Sequence, residues 1–291
     1  MATGARHKAI PGNVIVVVLA AALLHATWNA MAKGRQGSDP LITATVIAAG
    51  AGVVCIAMLC VLGAPAWESM PYVVASGIVH VAYLLLLGLS YRLAEYSAIY
   101  PLMRGTAPLL TTAASFIFVG ETIGAGPLFG IVLLSTGVLG LGFHSILRGG
   151  LNKAGLAVAM ANIAVIVAYT LIDGIGARLS GNPGGYVALM MLLTGVLHVS
   201  GMLYWRPRAV TDGISQQWMM GLLGGAMVMT SYGVVLWAMT KAPIGAVAAL
   251  RETSVLFGAA IATLIMGERF SLARVLATVA IFGGLACLRL T

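Results

Sequence analysis

Long apolar runs decide what this chain can become. A helix of about 20 apolar residues is needed to cross a bilayer. Such runs fall at roughly 12–33, 41–63, 71–91, 97–119, 126–146, 153–175, 185–205, 217–239, 245–266 and 271–290. The gaps between them, such as "KGRQGSDP", "GAPAWESMP", "SGNPGG" and "RPRAVTDG", are too short for a soluble domain. Charged residues are 8% of the chain, against about 25% in soluble domains. Helices satisfy their own backbone in hydrocarbon. The expectation is an all-α, polytopic membrane protein with ten transmembrane helices.

The formal net charge is +8, yet the basic residues sit singly or in pairs at the ends of the runs. That is the usual flanking role of Lys and Arg in membrane helices, so nucleic acid is not an expected partner. Cys55, Cys60 and Cys287 lie within apolar runs without C-x-x-C spacing and read as small buried hydrophobes. At the N-terminus, "RHK" before "VIVVVLAAALL" has the look of a signal peptide. The apolar run continues through Trp28, Asn29 and Met31, however, and the segment reads as the first span.

The chain also repeats itself. Arg104 stands inside an apolar run and is followed seventeen residues later by Glu121 of a Gly-Glu pair. Arg251 is followed seventeen residues later by Glu268 of a second such pair, at an offset of 147. The preceding runs, "YSAIYPLMR" and "PIGAVAALR", agree in character. Each half then holds five spans, 1–147 and 148–291. Five is odd, so the second half enters the membrane from the opposite side, an inverted 5+5 repeat. In transporters that arrangement places the substrate site near the midplane between the halves.

With "HATWNAMAKG" in the first span and the two Arg…Gly-Glu blocks, the chain resembles EamA-type members of the drug/metabolite transporter (DMT) superfamily, including the YddG-like amino-acid exporters. The resemblance spans all ten helices. It implies a basket in which helices one, three, four, six, eight and nine surround a central cavity, and secondary transport, commonly export of amino acids or related metabolites. It also implies a bacterial inner-membrane location with both termini in the cytoplasm. The count of Lys and Arg, five on the side of the termini and nine on the other, leans the opposite way. Orientation stays open.

Candidate site residues are polar groups set within the spans. A basic residue at mid-helix costs about 2.5–3.5 kcal/mol on insertion scales, so Arg104 and Arg251 face an interior. They suit a carboxylate, or act as a structural lock in which Arg104 snorkels or caps neighbouring carbonyls and Arg251 pairs with the adjacent Glu252. His25, Trp28 and Asn29 share a helix face at i, i+3 and i+4. Ser76, His80 and Tyr83 repeat that pattern, Tyr100 precedes Arg104, and Asn162, Tyr169 and Asp173 form a stripe in helix six. Tyr232 and Trp237 come from helix eight. The histidines either bridge helices or carry protons, and Asp173 either marks a helix end or is a coupling carboxylate.

The expected partners are a small-molecule substrate and the lipid bilayer, with the chain acting as a monomer. No cofactor or metal is called for. The chain has no G-x-x-x-x-G-K-[ST], which argues against an ATPase, and no H-E-x-x-H or nucleophile motif, which argues against an intramembrane enzyme. Nor does it show a repeated pore filter. The reading is an exporter of amino acids or related metabolites that works by alternating access. Sugar phosphates, nucleotide sugars or drugs are the alternative cargo.

Overall fold

A computed structural model describes residues 10–33, 39–264 and 272–288. The chain forms α1 (Gly12–Lys33), α2 (Pro40–Leu62), a single 3₁₀ turn (Trp67–Ser69), α3 (Met70–Leu93), α4 (Tyr96–Val119) and α5 (Ala125–Leu147). These are followed by α6 (Lys153–Leu179), α7 (Pro183–Trp205), α8 (Pro207–Met239), α9 (Ile244–Arg251), α10 (Ser254–Leu264) and α11 (Leu272–Cys287). Among the described residues, eight helices are long and apolar enough to cross a membrane.

Local chemistry sets the helix ends. Asp39 caps α2 by accepting the Leu41 N–H, with Pro40 at the first helical position. Asn152 and Asn182 cap α6 and α7 by accepting the N–H groups of Gly155 and Gly185. Gly120 closes α4 in the left-handed conformation, at φ 73°, where a side chain would be strained.

The ninth apolar run, expected as one span over 245–266, is instead divided between α9 and α10. Glu252 and Thr253 donate their N–H groups to Ala249 and Leu250, three residues back, and the Thr253 hydroxyl donates to the Leu250 carbonyl at 2.8 Å. These tight bonds take the place of the i→i−4 ladder. All eight residues of α9 are buried. The eighth helix is longer than expected: α8 has 33 residues, about 50 Å, with non-helical geometry at Gln217. The expected span, 217–239, starts at that kink, beyond the polar stretch "RAVTDGISQQ".

Hydrogen bonds show which helix ends meet. At one end of the bundle Asn182 donates to the Leu62 and Gly63 carbonyls, and Ala66 donates to Ser180. Arg178 joins Glu121 at the same end. At the opposite end Asn152 donates to Leu93, Glu95 donates to Gly150, and Arg206 pairs with Asp39. Thus α2 and α7 run in opposite directions, as do α3 and α8.

Packing partners are exchanged in the same sense. The first helix of each half lies on the other half: α1 against α8, α9 and α10, and α6 against α3 and α4. Likewise α2 packs on α8 and α7 packs on α3. Close contacts recur between positions 147 apart. Gly130 of α5 meets Gly284 of α11, and Gly137 meets Ala277, which are the same pair with the halves exchanged. Gly195 of α7 faces Ala48, its own counterpart in α2. The second Gly-Glu pair, Gly267–Glu268, lies outside the described residues.

Candidate functional site

Two buried clusters meet at the centre of the bundle. The first is built on α4 and α9. Pro101 and Pro108 interrupt α4 on either side of Arg104, and Pro108 removes the N–H that would have served the Arg104 carbonyl. Arg251 is the last residue of α9, at the negative end of that helix's dipole. Glu252 follows it. The Arg104 Nε lies 2.7 Å from Glu252 Oε2, and the Arg251 Nε lies 3.7 Å from Oε1. Arg104 and Arg251 are each 7% exposed and Glu252 1%.

These contacts are close but poorly aimed. Among the described residues, Arg104 Nε and Nη2, Arg251 Nε and Glu252 Oε2 have no well-directed hydrogen-bond partner. Distance and direction therefore disagree. The attraction between opposite charges depends mainly on separation, whereas a hydrogen bond also needs alignment. The three groups are an ion triad whose donors remain available.

The second cluster centres on Asp173, which has no exposed surface and sits within α6 rather than at its end. The Tyr186 hydroxyl donates to Oδ1 at 3.0 Å and the Tyr232 hydroxyl to Oδ2 at 2.5 Å. His80 Nε2 is 4.0 Å from Oδ2, and its Nδ1 lies 3.1 Å from both the hydroxyl and the carbonyl of Ser76.

Tyr169 connects the two clusters. Its ring is 4.2 Å from that of His80 and 5.4 Å from that of Tyr83, and it lies in the fields of both Arg104 and Arg251. Tyr100 is within hydrogen-bonding reach of Arg104, and the charges of both arginines act on His25 and Tyr83. His25, Tyr83, Tyr100 and Tyr232 are enclosed by the bundle, yet each keeps accessible surface.

The other candidates are placed differently. The Trp28 indole donates to His25 Nδ1 at 3.3 Å, whereas Asn29 is exposed and donates to its own helix, at the His25 carbonyl. Asn162 is buried, with its amide directed at Met103 Sδ, 3.2 Å away. Trp237 packs half-buried against the apolar core. Arg104 does not reach for a helix end: it pairs with a carboxylate from the other half.

Tyr186 was not a candidate from sequence, nor was the group at the bundle end around Glu121. Glu121 pairs with Arg178 and also accepts the Ile244 N–H at 2.9 Å. Arg178 in turn donates to the Met239 and Ala242 carbonyls.

Fold and centre together define an integral membrane protein of packed apolar helices with charged groups enclosed among them. Residues 153–290 match the model of the EamA-like transporter family. No curated protein matches the chain. One solved structure, titled "Crystal structure of protein", superposes with a TM-score of 0.75 at 18% identity, over 96% of this chain and 98% of that one. At that identity the likeness is one of fold.

Proposed function

We propose that the protein is a secondary transporter that exports amino acids or related small metabolites by alternating access. Its two halves, 1–147 and 148–291, would form an inverted pair that rocks about the central clusters. The exchange of packing partners, the contacts recurring 147 residues apart and the opposed directions of α2 and α7 support this arrangement. The match of residues 153–290 to the EamA-like transporter family supports the transporter class.

One observation carries the substrate reading. Guanidinium groups from the two halves converge in the interior with donors that no acceptor among the described residues engages in line. Such donors suit a carboxylate. Glu252 offsets one of the two cations, leaving one net positive charge, which matches a monocarboxylate better than a phosphate dianion. Asp173 with its tyrosines supplies an anionic pole for an ammonium group, and Tyr83, Tyr100 and Tyr169 lie between the poles. The two poles suit a zwitterion.

Purified protein in liposomes preloaded with unlabelled amino acid should accumulate the labelled form by counterflow. Arg104→Ala and Arg251→Ala should each abolish it. Counterflow that survives both changes sinks the site assignment, and counterflow of a sugar phosphate instead would reassign the cargo.

A further inference from the structure

The arginines recur in the two halves, but the His80–Asp173 pair does not. The positions 147 residues away are Met227 for His80 and Ala26 for Asp173. A repeated scaffold thus carries one acid–base pair that occurs once.

Both oxygens of Asp173 accept from phenol hydroxyls, Tyr186 on Oδ1 and Tyr232 on Oδ2, as an ionised carboxylate does. A buried ionised carboxylate requires a countercharge. His80 Nε2, 4.0 Å from Oδ2, is in place to supply it. Nδ1 of the imidazole faces the Ser76 carbonyl at 3.1 Å, so Nδ1 keeps its proton and Nε2 is the nitrogen that gains and loses one. Around the pair stand Tyr72 and Tyr83 of α3, Tyr169 of α6, Tyr186 of α7, Tyr232 of α8 and, as the facing cation, Arg251 of α9. Arg104 and Tyr100 of α4 lie beyond Tyr169, and Glu68 is exposed at the bundle end.

We propose that His80 and Asp173 form the proton site of a proton-coupled antiporter, with one proton moving inward for each solute that leaves. This rests on the transport reading above. In the low-dielectric interior a single carboxylate neutralises a single cation. Either the His80 imidazolium or the ammonium group of the solute can hold that place, not both. When solute arrives, the proton leaves Nε2 for water. When solute has departed on the far side, a proton from that side binds Nε2 and neutralises Asp173 for the return. No other bond is made or broken, and coupling follows from mutual exclusion.

The test uses liposomes containing the full-length protein, a trapped pH dye and a labelled amino acid selected by counterflow. Diluting them should acidify the lumen as solute leaves, and the ratio of protons gained to solute lost gives the stoichiometry. The expected ratio is one for the wild type and near zero for His80→Gln, whatever its residual transport rate. Wild-type efflux without acidification overturns the proposal and leaves the transporter reading intact; so does a His80→Gln ratio equal to the wild type. Should no amino acid give counterflow, the transport reading fails and the coupling with it. The wild-type ratio decides the matter even if the variant does not fold.

Discussion

The guanidinium of Arg104 and the carboxylate of Glu252, contributed by opposite halves of the chain, lie 2.7 Å apart in the interior, with Arg251 on the other carboxylate oxygen. Removing one partner of a buried pair leaves a charge that neither water nor protein compensates, at a cost of about 3–5 kcal/mol. Glu252→Gln should be the most damaging single change, because it strands two cations. Arg104→Met combined with Glu252→Gln should cost less than the two single changes added together. Thermal unfolding in detergent, arranged as a double-mutant cycle, measures this coupling. Strict additivity would show that the pair contributes nothing.

The Asp173 phenols give a second expectation. Tyr186→Phe removes the donor to Oδ1, and Tyr232→Phe the donor to Oδ2. Leaving a buried acceptor unmet costs about 1–3 kcal/mol, more for a charged one. Both variants should therefore lose stability, and the pH profile of transport should move, since these phenols position the carboxylate that faces His80 Nε2. Tyr204→Phe is the control, because Tyr204 is 93% exposed. A pH profile unmoved by both Asp173-facing changes excludes the carboxylate from the pH-dependent step.

Close packing of α2 on α8 can be tested with glycines. A Cβ on Gly50 would lie 2.1 Å from the Gly221 carbonyl oxygen, and one on Gly225 would lie 2.3 Å from the Ala51 nitrogen. Backbone cannot move aside as a side chain can, so Gly50→Ala should cost at least the ~1–3 kcal/mol of ordinary overpacking. Gly88→Ala and Gly140→Ala meet nothing within 4 Å among the described residues and should be neutral or stabilising. Yield of monodisperse protein and its melting temperature report the difference. Equal behaviour of Gly50 and Gly88 would refute the backbone contact.

Much of the centre was legible because charge is expensive in an apolar run. Arg104, Arg251, His80 and Asp173 announce themselves by that cost, and they lie together. What sequence spacing does not carry is which half a partner comes from. Glu252 reads as the neighbour of Arg251, yet it lies nearer to Arg104. Nothing in "NPGGYVALMM" singles out Tyr186, and the turn at 180–182 folds it back onto Asp173. The break between α9 and α10 has no Gly or Pro to mark it; Glu252 and Thr253 make it with backbone bonds three residues back. Asn29 shares a helix face with His25, but its amide returns to its own backbone.

Glu121, singled out by its spacing from Arg104, does local chemistry at the end of the bundle. Pro243, before α9, has no side-chain cap to offer, and the Glu121 carboxylate takes that place on the Ile244 N–H from the end of α4. Arg178 meanwhile bonds the carbonyls at the end of α8. Glu121→Gln should loosen this end of the bundle. With Cys55, Cys60 and Cys287 replaced, a cysteine at the buried position Ala242 should react several-fold faster with a maleimide in the Glu121→Gln background. An unchanged rate would show that the ion pair does not hold this end closed.

The last expectation concerns the halves themselves. A division at 147/148 looks like a domain boundary by sequence, but α1 is packed on α8, α9 and α10, and α6 is packed on α3 and α4. Each half therefore carries one helix whose apolar contacts belong to the other. Arg104 would also lack Glu252, leaving a cation without its carboxylate in the membrane interior. Fragments 1–147 and 148–291 expressed alone should be degraded or aggregate. Expressed together they should copurify and recover counterflow, since the cut falls in the short loop that follows Leu147. A stable, monodisperse 148–291 fragment would mean that the second half folds on its own, and that the exchanged helices decorate a finished core rather than complete it.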